Sequence, residues 1–486
     1  MTRPSLPMRA LATALCLTLT LPAQAARFGT VWPEPQPEPQ QRVAPSKPNF
    51  RAPSSMSCER PVEARVVGGR PVQAQARGDA RDREADKREM ATRSKMKGEV
   101  DIVGGRAKAA PFIPMPEVVV AAPMPMPAIA PIQRAPSVPS QVAAPVTAGM
   151  VDDNADFSEY LAFRARTQVQ HRERDVRERY LLEVKARDGT AGHDVEVMVR
   201  SDQGAAMWAR TDTAGRVWIH PDAFDPAHAG RYEVVARSGN ELISTTLTRG
   251  QKSSLELRFQ AVAQRVANAR AQLDLVFLVD ATGSMGDEID KLRGSLQTIV
   301  QQISSLPSRP DLCLGLVAYR DKGDEFLIKS HDLSNNVQGF QGALNQLRAD
   351  GGGDYPEAMN EAFDDTVQNI SWRGNGATRL VVLLADAPPH LDYNGPQYDN
   401  TMVAALGKGI KVFSVGASSL DKQGEYIQRQ IAQYTGGRFV FLTYENASRP
   451  GEAPGRETSH DVHNYSVETL DKLIVRLVSQ ELAALN

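Results

Sequence analysis

Apolar residues change their spacing twice along the C-terminal two-thirds of this 486-residue chain. Between Tyr180 and Leu257 they come in short runs of period two: 180–184, 195–199, 206–209, 217–219, 232–235 and 255–257. Turn residues separate these runs, a pattern that predicts a small antiparallel sandwich. From Leu273 the pattern becomes alternation. Leu273 to Val279 is an apolar run interrupted once, by Asp274; Ile289, Leu292, Leu296, Ile299 and Ile303 then recur at helical spacing; Leu312 to Tyr319 is apolar again. Helical stripes follow around 337–347 and 358–366, then a run at 380–385, a helix around 402–406, a run at 410–415, a helix around 427–434 and a run at 439–442. Leu470, Leu473, Ile474, Leu477 and Leu482 close the chain as an amphipathic helix. Fully apolar strands that alternate with helices predict an α/β fold, a doubly wound and mostly parallel sheet covered on both faces. Gly409 and Gly436 fall where helices should end.

The N-terminal third reads differently. Arg3 and Arg9 precede an apolar run from Ala10 to Leu21 and the small-residue pattern Ala23-Gln24-Ala25, which predicts a cleaved secretory signal over 1–25. Lipidation would need Gly or Ala before Cys16, and Leu15 stands there. Residues 26–156 are dominated by Pro, Ala, Val and Gln and predict a disordered or polyproline-like stalk, since such a segment buries too little apolar surface to offset the entropy of ordering. Two similar pentamers interrupt it, 66–70 (VVGGR) and 102–106 (IVGGR). They read either as low-complexity drift or as short linear docking motifs resembling segments recognised by outer-membrane transport machinery. A short charged helix from about Phe157 leads into the sandwich, giving a folded unit at 157–260 and an α/β domain at 261–486, with a helical connector over 260–271.

Basic and acidic residues are nearly equal in number, 56 against 58, for a formal net charge of −2. That balance excludes a nucleic-acid binder held by phosphate neutralisation. No apolar run approaches the length of a spanning helix, so no transmembrane anchor is expected. Only Cys58 and Cys313 follow the signal. They form no disulfide framework, and the apolar setting of Cys313 favours core packing over a Cys58–Cys313 bridge.

In an open doubly wound sheet, ligands bind beyond the carboxyl ends of the strands, where the strand order reverses. Three loops lie there. The first apolar run ends in Asp280-Ala281-Thr282-Gly283-Ser284, a later helix is preceded by Gly351-Gly352-Gly353-Asp354, and the run at 380–385 ends in Asp386-Ala387-Pro388-Pro389-His390. This constellation resembles the metal-ion-dependent adhesion site of von Willebrand factor A (VWA) domains, whose pattern is DxSxS, a Thr in a Gly-rich loop and an Asp in a later loop. The likeness covers roughly 273–479 and includes Thr435-Gly436-Gly437. It implies a divalent cation, Mg²⁺ first with Mn²⁺ or Ca²⁺ as alternatives, held by Asp280, Thr282, Ser284, Asp354 and Asp386. It also implies that the protein docks a protein or peptide ligand through an acidic side chain. Asp354 departs from the pattern by standing where the family has Thr; the added charge should tighten metal binding and weaken attraction for an acidic ligand. Some relatives carry an acidic residue in this loop with a DAPPH-like element, and the chain resembles that subgroup. Separately, Thr211 to Arg216, followed by Pro221, resembles the hairpin of carboxypeptidase-regulatory-like and prealbumin-like sandwich modules over about 179–259, which implies spacing or protein contact.

Blander roles suit the remaining polar residues. Asp321 and Asp324 read as a solvated loop, Glu357 as a carboxylate favouring a helix N-terminus, and His390 as a loop histidine. His460 and His463 lack the Cys or Glu partners of a zinc site. No phosphate loop, GxSxG elbow or HExxH is present, so no enzyme is expected. The expected protein is exported, periplasmic or extracellular, and binds a partner through a cation. A scaffold whose metal only stabilises the fold, or a metal-dependent hydrolase, stands as the alternative.

Overall fold

The computed structural model describes residues 57–69, 145–262 and 270–485, apart from 354, 375, 393, 418 and 450–452. The signal segment, the second pentamer at 102–106 and most of the connector at 260–271 lie outside the described residues. The elements begin with β1 (Ala64–Val67), β2 (Thr147–Val151) and helix α1 (Phe157–Arg166). Seven strands follow: β3 (Tyr180–Ala186), β4 (Glu196–Ser201), β5 (Ala206–Arg210), β6 (Arg216–Ile219), β7 (Arg231–Ser238), β8 (Glu241–Thr248) and β9 (Ser254–Phe259). They form sheets of order β6-β3-β9 and β5-β4-β7-β8. Leu182, Val184, Leu257 and Phe259 of one sheet meet Val197, Val199 and Val234 of the other in a shared core. Strand β8 escapes the sequence reading because its Ser and Thr side chains alternate toward solvent at the sheet edge.

The larger domain runs β10 (Gln272–Asp280), α2 (Gly286–Ser304), β11 (Asp311–Tyr319), β12 (Ile328–Ser334), α3 (Val337–Gln346), α4 (Met359–Asn369) and β13 (Ala377–Ala385). It continues with α5 (Tyr398–Gly407), β14 (Ile410–Gly416), α6 (Lys422–Tyr434), β15 (Arg438–Thr443), β16 (Glu468–Thr469) and α7 (Leu470–Ala483). Its nine-stranded sheet has the order β1-β12-β11-β10-β13-β14-β15-β2-β16. The five central strands β11, β10, β13, β14 and β15 are parallel, as their apolar runs predict, and antiparallel strands flank them on both sides. No helix of the described residues is long and apolar enough to cross a membrane.

Two expectations about the N-terminal third are corrected. Residues 57–69 and 145–156, read as stalk, are placed against the large sheet: β1 pairs with β12, and β2 is inserted between β15 and β16. Cys58 is bonded to Cys313, with Cα atoms 6.1 Å apart, the alternative that the apolar setting of Cys313 made the less favoured one. Both corrections share one cause, since pairing on β12 carries the segment ahead of β1 back to the strand that holds Cys313.

The sandwich is joined to the sheet's amino end. Asp194 accepts from Arg379 Nη1 at 2.8 Å and from the Gly376 backbone N–H at 2.6 Å, with Arg210 Nη1 at 3.1 Å. Trp208 of β5 lies over Gly407 at the end of α5.

Candidate metal site

Strand β10 sits between β11 and β13, so the chain leaves it in one direction and returns on its other side. That reversal opens a crevice beyond Asp280, the last residue of β10, and Asp386, the residue after β13. Asp280 Oδ1 accepts from the Thr282 N–H at 3.0 Å and from Thr282 Oγ1 at 2.7 Å, and Thr282 Oγ1 lies 3.1 Å from Ser284 Oγ. A 3₁₀ turn over Gly283–Met285 then leads into α2, whose N-terminus faces the loop. The structure thus brings together four of the five sequence-predicted ligands. Asp354 lies outside the described residues, but its loop is placed: Gly283 N–H donates to Gly351 O at 2.9 Å, and a Cβ on Gly352 would stand 2.8 Å from Thr282 Cβ.

The electrostatics are one-sided. Asp280 and Asp386 are almost wholly buried, and no hydrogen bond of ordinary geometry reaches Asp280 Oδ2 or Asp386 Oδ1, although the Tyr319 hydroxyl adjoins Asp280 and the Ser284 hydroxyl adjoins Asp386. Burial, then the negative charge of Asp386, holds the Asp280 carboxyl well above the usual carboxylate range, against the opposing hydrogen bonds of Thr282 and Tyr319. Asp386 is raised by burial too, with Ser284's hydrogen bond opposing and Glu288 adding to the rise. Two buried carboxylates beside hydroxyls, with no cationic side chain facing them, suit a hard divalent cation with oxygen ligands. Among the described residues no three His, Cys, Asp or Glu side chains form a metal-holding group by themselves, so any such site is a mixed carboxylate and hydroxyl set.

Three carboxylates given blander roles or passed over belong to the same face. Glu357 is 3 % exposed, its Oε2 has no partner, and burial followed by the charges of Asp280, Asp321, Asp386 and Asp324 pushes it up to about 9. It is not simply a helix-start charge. Asp321 is buried, contrary to the solvated-loop expectation, with Oδ1 3.5 Å from Nε2 of the buried His390. Glu288, in the first turn of α2, is buried and accepts from the Tyr444 hydroxyl at 2.7 Å. The signal that could have found Glu288 is its position four residues after Ser284, one helical turn into α2. The His460 side chain is packed against Glu425 at 3.2 Å, whereas the His463 side chain is 67 % exposed.

The sequence model of the von Willebrand factor type A domain family matches residues 274–447, and this part of the chain is such a domain. The chain is 29% identical over 204 residues to alpha-protein kinase vwkA of Dictyostelium discoideum, covering 38% of this chain and 32% of the kinase. It is 36% identical over 124 residues to an ariadne-like RING finger protein of Acanthamoeba polyphaga mimivirus, covering 25% and 12%. It is 34% identical over 90 residues to von Willebrand factor A domain-containing protein 7 of Mus musculus, covering 18% and 10%. The chain therefore spans about a third or less of the length of these curated relatives.

Proposed function

We propose that this is an exported, non-enzymatic binding protein whose VWA domain holds a divalent cation, Mg²⁺ first, and docks a protein or peptide there. The observation that carries the reading is the pair of buried carboxylates, Asp280 and Asp386, that only hydroxyl and backbone groups and no cationic side chain face, at the strand-order reversal. Thr282 and Ser284 would ligate directly, Asp280 and Asp386 directly or through water, and Asp354 would add an anionic ligand with Glu357 as its rival. The bound ion would supply a Lewis-acidic point that accepts a carboxylate from the partner. VWA domains typically mediate protein–protein interaction, which supports the binding role. Export is supported by the N-terminal signal pattern and by the Cys58–Cys313 bond, since disulfides persist in oxidising compartments such as a periplasm or the extracellular space. For the sandwich we favour a prealbumin-like spacer: Asp212 Oδ1 accepts from the Ala214 and Arg216 N–H groups and closes the turn that resembles such modules.

The acid surplus contributed by Glu357 and Asp321 favours one second reading, a scaffold in which the cation only neutralises the face. Calorimetric titration of the mature chain with Mg²⁺, Mn²⁺ and Ca²⁺ tests the first reading. The full chain is required because β1 and β2 belong to the large sheet. Saturable binding that Asp280→Ala abolishes and Ser284→Ala weakens, with both variants folded, supports the metal site. Unaltered binding in Ser284→Ala would sink the ligand assignment, and partner capture that survives chelation would favour the scaffold.

A further inference from the structure

The strap formed by residues 57–69 crosses the back of a loop whose other side touches the metal face. Its start is bonded through Cys58 to Cys313, and Arg60 O accepts from Ser334 Oγ at 2.6 Å. Strand β1 then pairs with β12 from Ala64↔His331 to Val67↔Ile328, and Val67 O accepts from the Leu327 N–H at 3.1 Å. Gly68 and Gly69 follow with φ of +65° and +116°. A Cβ on Gly69 would stand 2.1 Å from Glu325 O, and one on Gly68 2.8 Å from Leu327 Cβ. The glycine pair of the first pentamer is therefore what lets the strap lie directly on the backbone of 325–327.

That loop, residues 320–327, is closed by the Arg320 N–H donating to Leu327 O at 3.1 Å. Within it, Asp324 Oδ2 accepts from the Asp321 N–H at 3.0 Å and from the Gly352 N–H at 2.9 Å. Gly351, at φ +76°, has room for no side chain, because a Cβ there would stand 2.4 Å from the Asp324 carboxyl carbon. Gly351 O in turn receives the Gly283 N–H, and Gly352 presses on Thr282. Arg320 runs alongside, donating from Nε to Ala281 O at 3.3 Å and from Nη2 to Arg348 O at 3.1 Å.

We propose that Asp324 is a positioning residue: its one oxygen fixes the glycine loop against Thr282 and couples that loop to the N-terminal strap. This rests on the metal-site reading for its effect on the cation, but not for the coupling itself. Asp324 touches no predicted ligand directly. It acts through backbone N–H groups, so its role is to supply an acceptor oxygen at one place rather than a charge. Outer-shell partners of this kind typically carry 10–100-fold in metal affinity.

The test uses the full mature chain and Mn²⁺ alone. Asp324→Ala should weaken Mn²⁺ binding roughly tenfold, while Asp324→Asn, which keeps an oxygen acceptor and removes the charge, should retain it. In chelator, hydrogen exchange of the peptide covering 349–353 should quicken in Asp324→Ala and stay as in wild type in Asp324→Asn. Gly69→Ala, remote from the cation, should quicken exchange at 320–327 and at 349–353 together. An Asp324→Asn variant as damaging as Asp324→Ala overturns the positioning role in favour of charge. Faster exchange at 320–327 in Gly69→Ala with 349–353 unchanged overturns the coupling. If wild type binds no Mn²⁺ but the exchange pattern holds, the metal-site reading fails and the coupling stands.

Discussion

Both ends of the large sheet bury carboxylates, and they differ in what faces them. At the amino end, burial alone would raise Asp194, but Arg379 and Arg210 outweigh it and hold the carboxyl down at about 2. Asp274 nearby has both oxygens engaged, accepting from the Arg373 backbone N–H at 2.7 Å and from Arg373 Nε at 2.6 Å, although burial outweighs that arginine and still holds the carboxyl above its usual range. At the carboxyl end, Asp280, Asp386 and Glu357 have no such cation, and each is raised. Burial is common to both regions; what differs is whether the chain supplies the counter-charge. Where it does, the carboxylate is a structural bolt between sandwich and sheet. Where it does not, the fold retains an electrostatic cost that an external cation can relieve.

The sharpest break of this contrast is Asp194→Ala. It leaves the Arg379 and Arg210 guanidiniums buried at the seam, and removing one partner of a buried pair costs about 3–5 kcal/mol. Urea unfolding should show this loss with or without Mn²⁺. A cost below about 1 kcal/mol would mean that the carbonyls of Arg373, Gly374 and Lys408 suffice for Arg379.

How legible these two ends are in the sequence follows from what sets each feature. Strands β10, β11, β13, β14 and β15 are covered on both faces, so their apolar runs stand out without knowledge of neighbours. Strand β12 (IKSHDLS) and strand β8 (ELISTTLT) carry mixed side chains because they lie toward sheet edges, and no local period reveals them. Strands β1 and β2 depend on a partner far along the chain, which composition cannot report. The same division holds in the crevice. Asp280, Thr282, Ser284 and Asp386 are legible because their spacing follows two obvious strands, whereas Asp321 reads as a loop carboxylate and Glu357 as a helix-start charge until tertiary packing excludes water from them. The Asp194 bolt was invisible for the same reason: its two arginines come from β5 and β13, strands of different domains.

A second prediction sets the two ends apart by pH. His220, at the seam, is buried and stacks on Tyr434 of α6 with ring centroids 5.7 Å apart. Burial lowers its pKa from the ordinary 6.5 to about 4. The folded state therefore keeps the imidazole neutral while the unfolded chain binds a proton below 6.5. Its contribution is complete above about 6.5 and is lost as pH falls toward 4, a change on the order of 3 kcal/mol. Urea unfolding of wild type between pH 7 and pH 4.5 should fall more steeply than that of His220→Phe. Parallel slopes would remove His220 from the seam's acid sensitivity.

The smallest expected effect reverses sign with metal. In chelator, Asp386→Asn removes a charge that raises Asp280, while the amide keeps an acceptor oxygen for the Ser284 hydroxyl. The variant should therefore be neutral or more stable than wild type, by about 1 kcal/mol. With saturating Mn²⁺ the order should invert, because wild type gains the binding free energy and the variant does not. Asp194→Asn at the other end should be destabilised in both conditions, since its counter-charge is built in. Thermal melts of the two variants, each with and without Mn²⁺, separate the regions in one experiment. An Asp386→Asn protein that loses stability in chelator as Asp194→Asn does would show that the crevice carboxylate is already satisfied within the fold, and the contrast between the two ends would collapse.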